Sequence, residues 1–494
     1  MSALEEGPNV FTKTEGSDHV ERTDSKADTV QYAVTNDEQS RLRRAFDRRM
    51  LPVVCILYVL SYLDRGNIGN AKTAGAQKDL GLSSSQWTWV LNGFYICYVL
   101  FEWTVLLWKI FPAHIYVAVL CLGWGIMAMC AGAVQNMPGM VVVRCILGIF
   151  EASFGAGAPY YLSLFYQRRE LAKRVSLLLG MSPLANCFAG AMAYGITQIK
   201  HGIEPWRWLF IIDGPGQAKF LSTNEQTLAV ERMQTKDRTS KNKIHWSQFF
   251  AGLRDYPNVV HTLIHFMCNY SFAGLSNFLP TIIKDMGYSS INAQGLTAPV
   301  YFASFLLCVL GAVVSDKYGK RGFIVAVSAA VGCIGYLLLA VIQDEAKTGA
   351  RYCGVWLAVC GIFPALCINI TWLLNNNGGD SKRGAGLAIL ATFGQCSSFL
   401  SSAVFPSSDA YAPHSLISLS QRVVANKRPS PYYVKGCAIG CGFTGSIVIL
   451  SLGLVVALHA ENKKKDRLHG PVDESVQYDI SAQGDKHPMF RYLL

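Results

Sequence analysis

Long apolar runs alternate along the chain with short polar stretches rich in Arg and Lys. The runs cover 51–71, 86–107, 113–134, 139–165, 175–199, 259–283, 297–315, 322–342, 352–374, 385–406 and 434–459. A helix rises 1.5 Å per residue and needs about 20 mostly apolar residues to cross a bilayer. Each run therefore predicts one membrane-spanning helix, eleven in all. Residues 1–46 form a polar tail expected to be disordered. That tail has no basic segment leading into a short apolar core, so no cleaved signal is expected and the first span must direct insertion.

Basic residues mark the cytoplasmic side of a multi-pass protein. Arg41, Arg43, Arg44, Arg48 and Arg49 precede the first run, Arg168, Arg169, Lys173 and Arg174 follow the fourth, and Lys463, Lys464, Lys465 and Arg467 follow the last. Lys317, Lys320 and Arg321 lie between two later runs, as do Lys382 and Arg383. The stretch 217–257 holds seven Lys and Arg against four acids. Placing all of these on one side creates a conflict, because only the run at 175–199 separates the loop after span four from 217–257. Trp206 to Ile212 is apolar, but seven residues rise only about 10 Å as a helix. Asp213, Gly214, Pro215 and Gly216 then stop it. Either the sequence has lost about 20 residues, the length of one span, or the second half sits inverted; the loss is the reading adopted. The polar stretch 407–433 is either an external loop or an unspliced insertion.

Composition narrows the class. Hydrophobic residues make up 51% of the 494, and charged residues only 16%, against about 25% in an average soluble domain. A soluble enzyme, a coiled coil, a disulfide-stapled secreted domain and a disordered chain are all excluded on that ground. The net charge of +11 resides in loop clusters, so no nucleic-acid partner is expected. The 15 Cys are scattered through the apolar runs without zinc-site spacing, and no cofactor or metal is expected.

Ionisable residues inside a span are costly and mark function by default. Asp64 and Arg65 fall late in the first span, Glu102 in the second, and Arg144 and Glu151 in the fourth. The first pair has an alternative place at the membrane edge, and Glu102 one at the cytoplasmic interface. Arg144 and Glu151 are seven apart, on one helix face, and are expected to line one cavity.

These residues carry a family resemblance. Arg144-Cys145-Ile146-Leu147-Gly148-Ile149-Phe150-Glu151-Ala152 resembles the span-four signature of the major facilitator superfamily. Asp316-Lys317-Tyr318-Gly319-Lys320-Arg321 resembles its cytoplasmic loop motif, with Ala312 where a leading Gly is usual. The first-half copy, around Trp108-Lys109-Ile110-Phe111, is degraded. Within the superfamily, Tyr62 to Ala71, Phe94 to Glu102, Arg168 to Arg174 and Trp206 to Phe210 resemble the anion:cation symporters, and among them the allantoate permease-like transporters. Trp103-Thr104-Val105 departs from the Pro-Ser-Asn usual there. Span five reads Gly180-Met181-Ser182-Pro183-Leu184-Ala185-Asn186, without the Gly-Pro-x-x-Gly-Gly of the superfamily's drug–proton antiporters.

The resemblance implies an all-α membrane protein of two helical bundles, a twelve-span pattern with the sixth span missing. Its expected parts are a cytoplasmic tail at 1–46, an N-terminal bundle at 47–213, a linker at 214–257, a C-terminal bundle at 258–460 and a second tail at 461–494. It implies proton-coupled uptake of a small organic anion by alternating access. The alternatives are efflux of an acidic secondary metabolite and an inactive product lacking one span. Arg can bind a carboxylate bidentately, so Arg65 and then Arg144 are the expected anion partners. Tyr95, Tyr98, Asn277 and Gln395 are further candidates to shape the pocket. Asp64 and Glu151 are the proton-coupling candidates, Asp64 beside Arg65 and Glu151 near Arg144. Asp316, Lys317, Gly319 and Arg321 are expected to gate. A monomer in the plasma membrane is expected, with the vacuole or another organelle left open.

Overall fold

The computed structural model describes residues 36–109, 111–163, 165–166, 168–196, 204–211, 246–378, 380–405, 433–470 and 487–494. The expectations that fall on 1–35, on 212–245, on 406–432 and on 471–486 lie outside the described residues. Every regular element among those described is helical. In chain order these are α1 (Asn36–Arg49), α2 (Leu51–Thr73), α3 (Ala76–Asp79), α4 (Ser84–Phe101), α5 (Ala113–Ala133), α6 (Met137–Ser163), α7 (Arg168–Ile196) and α8 (Pro205–Ile211). They continue with α9 (Trp246–Arg254), α10 (Tyr256–Asp285), α11 (Ser290–Tyr318), α12 (Arg321–Val341), α13 (Thr348–Asn376), α14 (Asp380–Val404) and α15 (Val434–His469).

All eleven apolar runs coincide with helices. Nine of these, among the described residues, are long and apolar enough to cross a bilayer. The other two, α4 and α10, are less apolar and carry Asn92, Tyr95 and Tyr98, and Asn269, Ser276 and Asn277. Those polar side chains belong to the middle of the protein rather than to lipid.

Local signals set the helix ends. Ser83 and Gln86 form a capping box that starts α4. The Ser289 hydroxyl accepts from the Asn292 amide and starts α11. Gly319, at φ 65°, takes the left-handed position that ends α11, which a side chain would strain. The second run departs from a continuous α-helix: Glu102–Lys109 is a 3-10 helix. There the Thr104 hydroxyl bonds the Phe101 carbonyl at 2.6 Å. The Thr104 carbonyl is taken by the hydroxyls of Tyr116 and Ser153 at 3.1 and 3.2 Å. These side-chain bonds fix a tighter winding than the α-helix would adopt.

Two bundles result. In the first, α4 and α5 pack on α6, and α2 on α7; in the second, α10 packs on α14, and α12 on α13 and α15. The bundles meet through α2 with α10, α4 with α14 and α7 with α11. Side-chain contacts fix which ends lie together. At one end Arg174 holds Asp47, Lys382 holds Asp255, and Tyr256 bonds Glu461. Residues 487–494 return to that end, where the Leu493 carbonyl accepts from Trp372 Nε1 at 2.7 Å and Asn376 Nδ2 at 3.0 Å. The loop basic clusters of 41–49, 173–174, 317–321, 382–383 and 463–467 are all at this basic end. At the opposite end Arg207 bonds the Gly132 and Val134 carbonyls and pairs with Asp79.

The second half is not inverted. The rings of Tyr62 and Phe272 lie 5.8 Å apart, and the Thr73 and Thr281 hydroxyls 3.2 Å apart. Rising sequence number therefore runs the same way along both, and α10 is parallel to α2. Helix α7 ends at the end where α10 also finishes, whereas α10 begins at the basic end. Between them in sequence, α8 packs on α5 and α2 with Trp206, Leu209 and Phe210 buried, and α9 packs on α14.

Candidate functional site

The four ionisable side chains singled out in spans one and four meet in the middle of the first bundle. Asp64, Arg65, Arg144 and Glu151 are at most 4% exposed. Asp64 and Arg65 come from α2, and Arg144 and Glu151 from α6; α4 packs closely on α6 beside them, where a Cβ at Gly148 would fall 2.5 Å from the Phe94 carbonyl oxygen, so only hydrogen fits there.

Arg65 and Glu151 form the central pair. Arg65 Nε and Nη2 both donate to Glu151 Oε2, at 3.2 and 2.9 Å. The rings of Tyr62, Tyr98 and Phe94 surround the guanidinium at 4.6, 4.8 and 5.2 Å, an arrangement that stabilises a buried cation through the ring faces. The sequence set Asp64 beside Arg65 and Glu151 near Arg144; here Arg65 pairs with Glu151 instead, and Glu151 is also in electrostatic range of Arg144. Consecutive helical residues point about 100° apart, so Asp64 faces away from its neighbour and lies in electrostatic range of Arg144. Arg144 and Glu151 are separated by two turns, about 10 Å along α6.

Arg144 is placed differently from Arg65. Its Nε and Nη2 are buried with no hydrogen-bond partner, and the Phe210 ring of α8 lies 5.7 Å from its Cζ. Arg144 faces a small closed space lined also by Arg65, Ile68, Leu91, Phe94, Tyr95 and Asn277. Its volume of about 10 Å³ holds roughly one water molecule. Asn277 Nδ2 donates to the Tyr95 hydroxyl at 2.9 Å and so closes the space from the second bundle.

The remaining candidates divide. Tyr95, Tyr98 and Asn277 are at the site. Gln395 is not brought to it: its Oε1 accepts from Asn269 Nδ2 at 3.1 Å within the α10–α14 contact. Asp316, Lys317, Gly319 and Arg321 stand at the basic end. Asp316 Oδ1 accepts from Arg321 Nη2 at 2.8 Å, and Lys173 and Arg174 of the other bundle are in electrostatic range of Asp316. The Lys317 ammonium lies 5.6 Å over the Tyr318 ring. Sequence reasoning did not single out Tyr62, Phe94, Ile68, Leu91 or Phe210. The signal for Tyr62 and Phe94 was available, since both lie one turn from a named residue on the same face, at Arg65 and Tyr98.

The space is shut toward both ends. On the far side the Ser290 hydroxyl donates to the Thr73 carbonyl at 2.7 Å, and Gln294 Nε2 to the Asn70 carbonyl at 3.2 Å. On the basic side the Ser176 and Thr371 hydroxyls are 3.0 Å apart. A buried cation with open donors, a second cation held by an acid, and two bundles meeting around both can bind an anion and expose it to either end.

Comparison with known proteins agrees with this architecture. The model of the Major Facilitator Superfamily matches residues 54–402. The transporter prlL of a fungal species (strain NRRL 50135) is 34% identical over 70% of this chain and 75% of its own length. The transporter hxnP of Emericella nidulans is 28% identical over 94% of this chain and 95% of its own. The high-affinity nicotinic acid transporter of Saccharomyces cerevisiae is 29% identical over 92% and 85%. Among solved structures, a bacterial homolog of the lysosomal transporter Spinster superposes with a TM-score of 0.56 at 15% identity, covering 86% of this chain and 96% of its own. The proton:xylose symporter XylE does so with 0.54 at 15% identity, covering 80% and 94%. With its helices, its buried charges and these relatives taken together, the chain belongs to the major facilitator superfamily and is a multi-pass membrane transporter rather than an enzyme.

Proposed function

We propose that this chain carries a small organic carboxylate together with protons, by alternating access, as a member of the anion:cation symporter branch with allantoate permease-like transporters. The observation that carries the reading is Arg144, whose Nε and Nη2 are buried without a partner beside a space lined by aromatic rings. Leaving a guanidinium desolvated and unpaired is costly, and a bidentate carboxylate offsets that cost. Arg144 therefore replaces Arg65 as the first anion partner, because Arg65 is already held by Glu151. Phe94 and Tyr95 offer ring faces and Asn277 an amide, which suit a flat ring-bearing acid. The nicotinic acid transporter among the relatives supports that class.

The Arg65–Glu151 pair supports proton coupling. A proton on Glu151 cancels its charge and releases Arg65, which then strengthens the positive field for an arriving anion. When the proton leaves, the pair re-forms and expels the anion. One proton with a monovalent anion moves no net charge; a second would add about 2.3 kcal/mol per 100 mV. The basic end is cytoplasmic by the charge rule; the reading adopted is import, by a monomer in the plasma membrane, and span five lacks the signature of the superfamily's drug–proton antiporters.

The test is uptake of radiolabelled nicotinate into vesicles holding the purified protein, with an imposed pH gradient. We expect accumulation that collapses when a protonophore dissipates the gradient, and its loss in Arg144→Ala. Uptake that ignores the gradient, or a wild-type rate in Arg144→Ala, overturns the proposal.

A further inference from the structure

Glu102 takes no part in the site described above, yet it is 4% exposed, its Oε2 is buried without a hydrogen-bond partner, and no ion pair engages it among the described residues. It lies one turn beyond Tyr98 toward the basic end of α4. Groups in electrostatic range are Arg65 on α2, Tyr98 on α4 and Cys396 on α14. Helix α6 offers Ser153 and Tyr161 to the same segment, at Trp108, and Glu151 beyond Arg65. A carboxylate in such surroundings, with one oxygen buried without a donor and no paired cation among the described residues, is expensive. Taking up a proton removes the charge.

A second, independent feature sits at the same residue. The span leaves α-helical winding at Glu102 and continues as a 3-10 helix for eight residues. Runs that long are uncommon, and here the 3-10 winding takes the place of the last α-helical turns of the span, up to the loop before α5. Glu102 also lies where α4 meets α14 of the other bundle. Any movement that separates the bundles at the basic end draws α14 away and wets Glu102; closure dries it.

We infer that Glu102 is the inner proton station of this carrier, taking the proton that leaves Glu151 and delivering it to water at the basic end. This rests on the proton-coupled reading above. The transfer balances: the Glu151 acid becomes a carboxylate and closes on Arg65, while the Glu102 carboxylate becomes an acid. Tyr98 connects the two. It precedes Glu102 by one turn of α4, and its hydroxyl packs on α6 at Gly155, one turn beyond Glu151, where a Cβ would come within 2.0 Å. When the bundles part, Glu102 releases its proton to solvent and the station is ready again. The inner site is thus specific for a proton, and the anion site at Arg144 lies on the far side of the central pair.

Two measurements on the full chain in vesicles test this. The first needs no transported substrate: infrared difference spectra of the protonated-carboxyl C=O band between acid and alkaline pH, for wild type, Glu102→Gln and Glu151→Gln. We expect each variant to delete a different component; an unchanged spectrum in Glu102→Gln overturns the inference even if nicotinate is not the cargo. The second compares proton-driven nicotinate accumulation with nicotinate counterflow at equal pH. In Glu102→Gln accumulation should fall about 100-fold, the scale of a positioned proton-transfer group, with counterflow within about twofold of wild type. Retained accumulation, or loss of counterflow in a variant that still folds, overturns it. If the Gln variant fails to fold, Glu102→Asp serves: it keeps coupling and moves the carboxyl component, and an unmoved component refutes the assignment. A wild type that shows counterflow but no proton drive fails the broader reading, while the infrared result still judges Glu102.

Discussion

Arg65 and Glu151 show how the environment of a charge decides its role. Both are buried, both nitrogens that bond use the same carboxylate oxygen, and three rings wall the pair off. Removing one partner leaves the other charged and dry, at about 3–5 kcal/mol. Arg65→Ala should therefore lower the thermal unfolding temperature in detergent more than the Arg65→Ala, Glu151→Ala double variant does. A double variant less stable than Arg65→Ala refutes the pairing. That Asp64, Arg65, Arg144 and Glu151 are buried away from lipid was legible in the sequence, because charge inside an apolar run is costly wherever the helix lies. Which acid meets which base was not. Periodicity assigns each residue a face of its own helix, but the partner across the gap depends on the rotation and depth of another helix. The partner of Gln395 was hidden for the same reason: its Oε1 accepts from Asn269 within the second bundle.

At the level of helices, apolar length located all eleven segments, and their ends followed from caps such as Ser83 and Gly319. The 3-10 winding after Glu102 was hidden, because it depends on hydroxyls of Tyr116 and Ser153 from two other helices. The contact of α4 with α6 is the tightest demand on sequence near the site. Gly148→Ala pushes a methyl group onto the Phe94 backbone, which cannot rotate away. Overpacking of this kind costs about 1–3 kcal/mol. We expect Gly148→Ala to lower both the unfolding temperature and transport, whereas Gly195→Ala, with open space around it on α7, changes neither. Equal behaviour of the two variants in a thermal melt would contradict the packing described.

For the molecule as a whole, the apolar segments and the surplus of basic residues at one end were readable, but the choice between a lost span and an inverted half rested on loop charges alone. A missing span and an inverted half leave the same hydropathy trace; only the side-by-side contacts of α2 and α10 decide between them. Those contacts make a further prediction. Thr73→Cys with Thr281→Cys places two thiols where hydroxyls now lie 3.2 Å apart. Oxidation should stop transport and reduction restore it, relative to the parent chain treated alike. Continued transport after complete cross-linking would mean that the far ends of α2 and α10 never separate.

The bonds that join the bundles between Thr73 and Thr281, Ser290 and Thr73, Gln294 and Asn70, and Ser176 and Thr371 are all made by neutral hydroxyls, amides and carbonyls. A neutral hydrogen bond of this type contributes about 0.5–1.5 kcal/mol net. Beside the broad contact of α7 with α11 these four bonds add little to the hold between the bundles. On the proton-coupled reading proposed above, opening is then set by the charge on Glu151 rather than by the strength of these latches.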